Sequence, residues 1–365
     1  MAHRRRFSSA AALRSRRALW IVAFAAAVLA AALSTAAQDQ RKVTRLAEGV
    51  YAIEHAGQGG GNSTVVIGGR EVLVVDSCFL PSAAKEDIAQ IRQWTDKPVA
   101  FVVNTHFHND HNFGNRAYIE AFPAAEFIAH RETKIEMDRF GPGSEGREKR
   151  SRDRAQKMLD SGKGPDGSDL SESDKAAVKD ALAQLDATIA EMQGVVFQSA
   201  TITFDRNLTV DLGGREVEIE YLGKGNTAGD AVVYLPKEKI VAAGDLLAAP
   251  IPNLYDGYPV EWIETLNALA QLDAATIVPG HGPVMHDKSY IYLVRDLLQS
   301  AVDQMNAKLS QTRPAMMQTL DDVKDSVDLS AFRQRFAGND KDLGSVFDDA
   351  TTHLVKLAFL EASLR

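Results

Sequence analysis

The sequence predicts an α/β protein in which buried strands alternate with amphipathic helices. Short apolar, β-branched runs recur between turn formers from Val50 onward, and stretches with helical spacing separate several of them. In addition, three of the strand-like runs end in histidine or aspartate side chains where a strand gives way to a turn.

Taken in order, residues 38–48 are polar and read as a flexible lead-in. Strands follow at 50–53, 63–68 and 71–76, and Gly68-Gly69-Arg70 joins the last two as a tight hairpin. The glycine-rich run 57–62 reads as a mobile loop. It lacks the Lys-Ser/Thr ending and the following helix of a phosphate cradle. Residues 81–94 form a helix with Ser82 as its cap and Ala89, Ile91 and Trp94 on its apolar face. A buried strand at 99–104, a short helix over 112–121 and a strand at 126–129 complete this first α/β run.

Residues 131–193 break the rhythm with two helical stretches, about 131–162 and 171–193. Ser171 opens the second with Asp174 as its capping-box partner. Ala177, Ala181, Leu182, Leu185, Ile189 and Met192 keep helical spacing on it. The pair reads as an insert covering one side of a site. Strands resume at 201–204, 208–211, 215–222, 231–235 and 239–243. A helix at 260–271, a strand at 276–278, a long helix at 287–312 and one or two further helices from 320 finish the chain.

The 365 residues are 25% charged and 45% hydrophobic, ample for a packed core. Net charge is -8, and six arginines fall within the first 37 residues, which hold no acid. The remainder is therefore more acidic still, and phosphate backbones would repel it, so no nucleic-acid partner is expected. Those arginines precede an apolar run at 19–33 and the small residues Ser34-Thr35-Ala36-Ala37. This is the pattern of an export signal over 1–37, with Ser15-Arg16-Arg17-Ala18-Leu19 loosely similar to a twin-arginine signal. The apolar run is short for a membrane span of about 20 residues. The mature protein is thus expected in the periplasm or outside, with no stable span. Cys78 is the lone cysteine, so no intrachain disulfide can form, and it reads as a buried thiol just past a strand.

The chemistry concentrates at Thr105-His106-Phe107-His108-Asn109-Asp110-His111, immediately after the strand at 99–104. Alternate side chains of an extended segment share a face, so His106 and His108 can point together, with Asp110 and His111 following as the chain turns. Imidazole and carboxylate suit zinc and similar borderline metals. Asp245 in Gly244-Asp245 and His281 in Pro279-Gly280-His281-Gly282-Pro283 repeat the setting of a strand end, a turn and one ligand type.

The motif His-x-His-x-Asp-His, with Asp245 and His281 in this order, resembles the metallo-β-lactamase superfamily over roughly 48–290. The resemblance implies a four-layer αββα sandwich of two mixed sheets with helices outside. Residues 131–193 would be an insert and 291–365 a helical extension. It implies His106 and His108 on a first metal, Asp110, His111 and His281 on a second, and Asp245 bridging, as in glyoxalase II-like branches. Zinc, as one or two ions, is the implied cofactor, with iron and manganese as alternatives. Asp110 would be catalytic, and Asp76, at a strand end, would orient the ligands. The frame Gly223-Lys224-Gly225-Asn226-Thr227 places Asn226 where the family usually has a histidine. Asn226 is then a metal or substrate contact, and a first site that is weaker, differently metallated or filled only when substrate arrives is expected. The implied activity is hydrolysis of a small ester, lactone, thioester or amide, with β-lactams as one version. Two rivals are a metal-binding protein with little catalysis and an iron-dependent sulfur oxidoreductase of the same fold; Asn226 speaks against the latter.

Overall fold

The computed structural model describes residues 41–55, 60–143, 146–165, 167–311 and 319–363. The export-signal expectation lies outside the described residues.

The chain begins with β1 (Lys42–Ala47), β2 (Val50–Glu54), β3 (Ser63–Ile67) and β4 (Val72–Val75), followed by α1 (Pro81–Trp94) and β5 (Val99–Val103). Then come α2 (Asn109–Asn112), α3 (Asn115–Ala121), β6 (Glu126–His130), α4 (Arg131–Phe140), α5 (Gly146–Ser161), α6 (Glu172–Met192) and β7 (Ile202–Phe204). These seven strands form one sheet in sequential order, antiparallel through β4 and parallel from β4 to β7. A second sheet holds β8 (Asn207–Asp211), β9 (Glu216–Tyr221), β10 (Ala231–Leu235), β11 (Ile240–Ala248) and β12 (Thr276–His281). Only β11 and β12 are parallel there, because α7 (Pro259–Gln271) crosses between them. The chain ends with α8 (Ser289–Gln311), α9 (Leu320–Val323), a 3-10 turn, α10 (Ser330–Ala337) and α11 (Lys341–Ser363).

Period-2 alternation sets the layers. Val50, Ala52, Leu73 and Val75 of the first sheet face Val217, Ile219, Val233 and Ala242 of the second in one apolar cluster. Their neighbours Ile53, Val72 and Val74 point outward, against Ile88 and Ile91 of α1 and Tyr118 of α3. On the far side, Val232, Val241 and Ala243 pack with Trp262 and Leu266 of α7, Val294 of α8 and Leu354 of α11. The result is a sandwich of two mixed sheets with helices on both outer faces, as the resemblance implied.

Several expectations need correction. The lead-in is partly a strand: β1 pairs with β2, and its polar side chains suit an edge, with Lys42 3.1 Å and Thr44 3.1 Å from Glu54. Ser82 does not cap α1; Leu80 holds the cap position and the Ser82 hydroxyl donates to Glu191 instead. The stretch 131–162 is two helices, because Gly141-Pro142-Gly143 interrupts it and proline disfavours helix in the residue before it. The short helix expected at 112–121 begins at Asn115 as α3, and the turn α2 precedes it over Asn109–Asn112. Ser171 does form the capping box with Asp174.

Candidate metal centre

Strand β5 delivers the motif to the cleft edge. His106 and His111 are fully buried and His108 nearly so. His106 Nε2 lies 3.0 Å from His108 Nδ1. The Asn109–Asn112 turn brings His111 back beside them, and Asn104 fixes that turn through its amide to the His111 carbonyl (3.2 Å). Asp245 sits within β11 and His281 ends β12, so the second sheet supplies the opposite wall. His111 Nε2 and His281 Nε2 are 3.2 Å apart, and Asp110 Oδ2 is 3.0 Å from His281 Nε2.

Asp245 lies among three imidazoles. Its Oδ1 is 3.3 Å from His111 Nε2 and 3.5 Å from His281 Nε2, and its Oδ2 is 3.7 Å from His106 Nε2. Yet Oδ1 is buried and accepts no hydrogen bond. A shared cation would satisfy both that oxygen and the facing ring nitrogens, and the mixed imidazole and carboxylate set suits a borderline metal. Two groups, His106/His111/Asp245 and Asp110/His111/His281, each place one potential ligand atom per residue within 4.8 Å of the others.

The charges reinforce one another. Burial pulls the His111 pKa down, but the Asp245, Asp110 and Asp76 carboxylates carry it well above its ordinary value. Burial likewise opposes, and Asp245 and Asp110 outweigh it, for His281. Burial would raise Asp245, but His281 and His111 hold it far below the usual carboxylate range. His106 and His108 differ: burial dominates and lowers both.

Asp76 adopts φ +57, a left-handed conformation unusual for a residue with a Cβ. Three hydrogen bonds hold it there, from the Thr105 amide, the Thr105 hydroxyl and His111 Nδ1, each 2.8 Å. It therefore orients the buried histidine and the start of the motif together. Asn226 is fully buried, and neither its amide nitrogen nor its oxygen has a hydrogen-bond partner. It lines a cavity of about 710 Å³ together with His108. A second cavity of about 740 Å³ is lined by His108, Asp110, Asp245 and His281.

Two supporting residues escaped the sequence reading. The run 57–62, expected to be mobile, is anchored over Gly60–Asn62. Gly61 N–H donates to the Asp110 carbonyl at 2.8 Å, and a Cβ at Gly61 would overlap the His111 ring. The Asn62 amide nitrogen donates to the carbonyls of Pro279 (2.9 Å) and Gly282 (2.8 Å), holding His281 in place. Only the glycines hinted at this close approach. The other is Asp256, whose Oδ2 lies 3.9 Å from His108 Nε2, the ring nitrogen turned away from His106. On the same loop as Asn226, Lys224 lies over the Tyr258 ring, and the Tyr255 hydroxyl donates to Asp349. Among the described residues, the other histidines do not join the centre. His55 pairs with Asp87, His130 stacks on Tyr221, and His353 meets Tyr255.

The family model described as Metallo-beta-lactamase superfamily matches residues 56–281, which carry every residue of this centre. The chain belongs to the metallo-beta-lactamase superfamily. A linear primary-alkylsulfatase of Pseudomonas sp. (strain ATCC 19151) is 24% identical over 242 residues, 63% of this chain and 43% of that protein. A type 2 metallo-beta-lactamase of Bacteroides fragilis is 38% identical over 85 residues, 22% of this chain and 34% of that enzyme. The chain thus covers less than half the length of these curated relatives. Among solved structures, DIM-1 metallo-beta-lactamase aligns with TM-score 0.50 and 17% identity over 72% of this chain and 98% of its own. A metallo-beta-lactamase from Pontibacter korlensis gives 0.50 and 21%, over 71% and 99%. Both show that the superfamily fold is shared. Among the described residues, no helix is long and apolar enough to cross a membrane.

Proposed function

We propose that the chain is a metal-dependent hydrolase, with zinc as the metal, acting on a small ester, lactone, thioester or amide. The observation that carries this reading is the buried Asp245 oxygen that accepts no hydrogen bond while three imidazole nitrogens face its carboxylate. His106 and His108 would hold one ion, Asp110, His111 and His281 a second, with Asp245 shared. A divalent metal bound there supplies a water of lowered pKa and polarises the substrate's electrophilic oxygen. The chain's own residues do the rest. Asp110 borders the second cavity, where its carboxylate would accept a hydrogen bond from the attacking water. Asn226 offers an unpartnered amide N–H to the oxygen on which charge develops. Asp76 and Asn62 keep His111 and His281 in place. The alkylsulfatase relative adds sulfate esters to the substrates worth testing, and the lactamase relative supports testing β-lactams. We also place the mature protein in the periplasm or outside the cell.

Elemental analysis of the purified protein, beside turnover of an ester, a lactone, an alkyl sulfate and a β-lactam with and without chelator, tests this. Metal at one or two equivalents, and a turnover that chelator abolishes and zinc restores, is expected. A metal-loaded protein inert toward all four would favour the binding protein with little catalysis. Failure to take up any metal would sink the hydrolase reading.

A further inference from the structure

The cavity that reaches Asn226 has an unusual wall. The insert supplies Arg139 at the end of α4 and Arg147 and Arg150 in the opening turns of α5. Arg139 lies over the Phe140 ring at 4.8 Å. Arg147 and Arg150 have no ion-pair partner among the described residues, whereas nearby Arg131 and Arg152 are paired with Asp205 and Asp186. Helix α5 carries six basic and three acidic residues in a chain of net charge -8. Cations in a first helical turn oppose the helix dipole and weaken the helix. Arg147 stands in that first turn and Arg150 in the next, both exposed and without a carboxylate partner among the described residues, and the α5 N-terminus would favour an anion beside them as well. At the inner end, the buried Asn226 amide is unpartnered. Phe107, Phe140 and Leu357 add apolar surface. Glu136 and Asp256 also face the cavity, and Asp256 is the carboxylate beside His108.

Resting on the hydrolase reading, we propose that this cavity selects an amphiphilic substrate: an apolar skeleton with an oxyanion (carboxylate or sulfate) remote from the bond to be cut. The guanidinium forks of Arg147 and Arg150 take the oxyanion, since their planar donors match its geometry. The rings of Phe107 and Phe140 hold the skeleton, and the reacting group reaches Asn226 and His108. The acidic chain repels anions at a distance, so the discrimination is local, within a Debye length of roughly 8 Å at physiological salt.

The test compares kcat/KM for chain-matched aryl esters with carboxylate, sulfonate or uncharged tails, in wild type and in Arg147→Gln/Arg150→Gln. The wild type should favour both anionic tails by about tenfold, through KM, and the double variant should bring that ratio to about one. Preference for one anionic tail alone would identify the oxyanion. Equal wild-type values for charged and uncharged tails, or a ratio unmoved by the double variant, would overturn the proposal. If no aryl ester is turned over, a second measurement isolates the cavity. Calorimetric titration of the metal-loaded protein with hexanoate and hexanesulfonate, against hexanol, should show anion binding that the double variant loses. Equal binding of hexanol, or anion binding untouched in the variant, overturns the inference there too.

Discussion

His108 and His111 lie three positions apart after the same strand, yet their surroundings differ. His111 is fully buried, its Nδ1 held at 2.8 Å by an aspartate that two further hydrogen bonds fix. Gly61 admits its ring, and Asn62 secures its neighbour His281. His108 instead borders both cavities, and the carboxylate nearest its outer nitrogen, Asp256, is 3.9 Å away on a side chain 72% exposed. Beside His108 stands Asn226, with no partner. One half of the centre is thus rigid and charge-matched, and the other is open toward the cavity that Asn226 lines. On the proposed reading, tight metal retention and substrate access would fall to different histidines of one motif.

The sharpest way to break this contrast is to remove each imidazole. His111→Ala should lose more than about 100-fold in metal affinity, beyond the loss expected for a supporting residue. His108→Ala should lose turnover while retaining one equivalent of metal by elemental analysis. Equal metal loss in both variants would erase the distinction. Next come the two carboxylates: Asp76→Asn should weaken metal binding by about 10- to 100-fold. Asp256→Asn, exposed and beyond hydrogen-bond reach, should change it only a few-fold; a competition assay with a chromophoric chelator reads both. Asn226→His should raise metal affinity at the open half by about tenfold, since imidazole is the better ligand. An unchanged stoichiometry and affinity would show that position 226 faces substrate alone.

The smallest effect concerns Asp230, on the same loop as Asn226. Burial pushes its carboxyl up to about 8, against the hydrogen bonds from Thr227. A raised carboxyl favours the folded state only while protonated. Ionising it in place therefore costs nothing below about pH 4, costs progressively more up to about pH 8, and is constant above. Asp230→Asn should thus raise the melting temperature of metal-free protein by a few degrees at pH 9 and by much less at pH 5. The same gain at both values would contradict the shift.

The strands and their alternation were legible because β-branched runs and turn formers coincide, and the convergence of the six histidine and aspartate positions was legible because each lies within or shortly after such a run. The break at Gly141-Pro142-Gly143 was written in the sequence but outweighed by the helical pattern around it. β1 was not legible, because an edge strand shares its polar composition with a lead-in. Asn62 and Asp256 could not be read at all. Asn62 acts on carbonyls 217 and 220 residues away. Asp256 meets His108 only after α7 and β11 have placed its loop. Supporting residues act through tertiary proximity, which leaves no local pattern.

The separation of His111 and His281 has one more consequence. They stand 170 residues apart in the chain, His111 on α2 after the first sheet's β5 and His281 at the end of β12 in the second sheet. An ion gripping both would close that loop as a covalent staple does, in a chain whose lone cysteine can form no such staple with itself. On the chain-entropy view, closing a loop of this length removes unfolded-state freedom worth about 5 kcal/mol. The ion would then be a reversible tether between the two sheets, and the thermal lifetime of the fold would track the free metal around it.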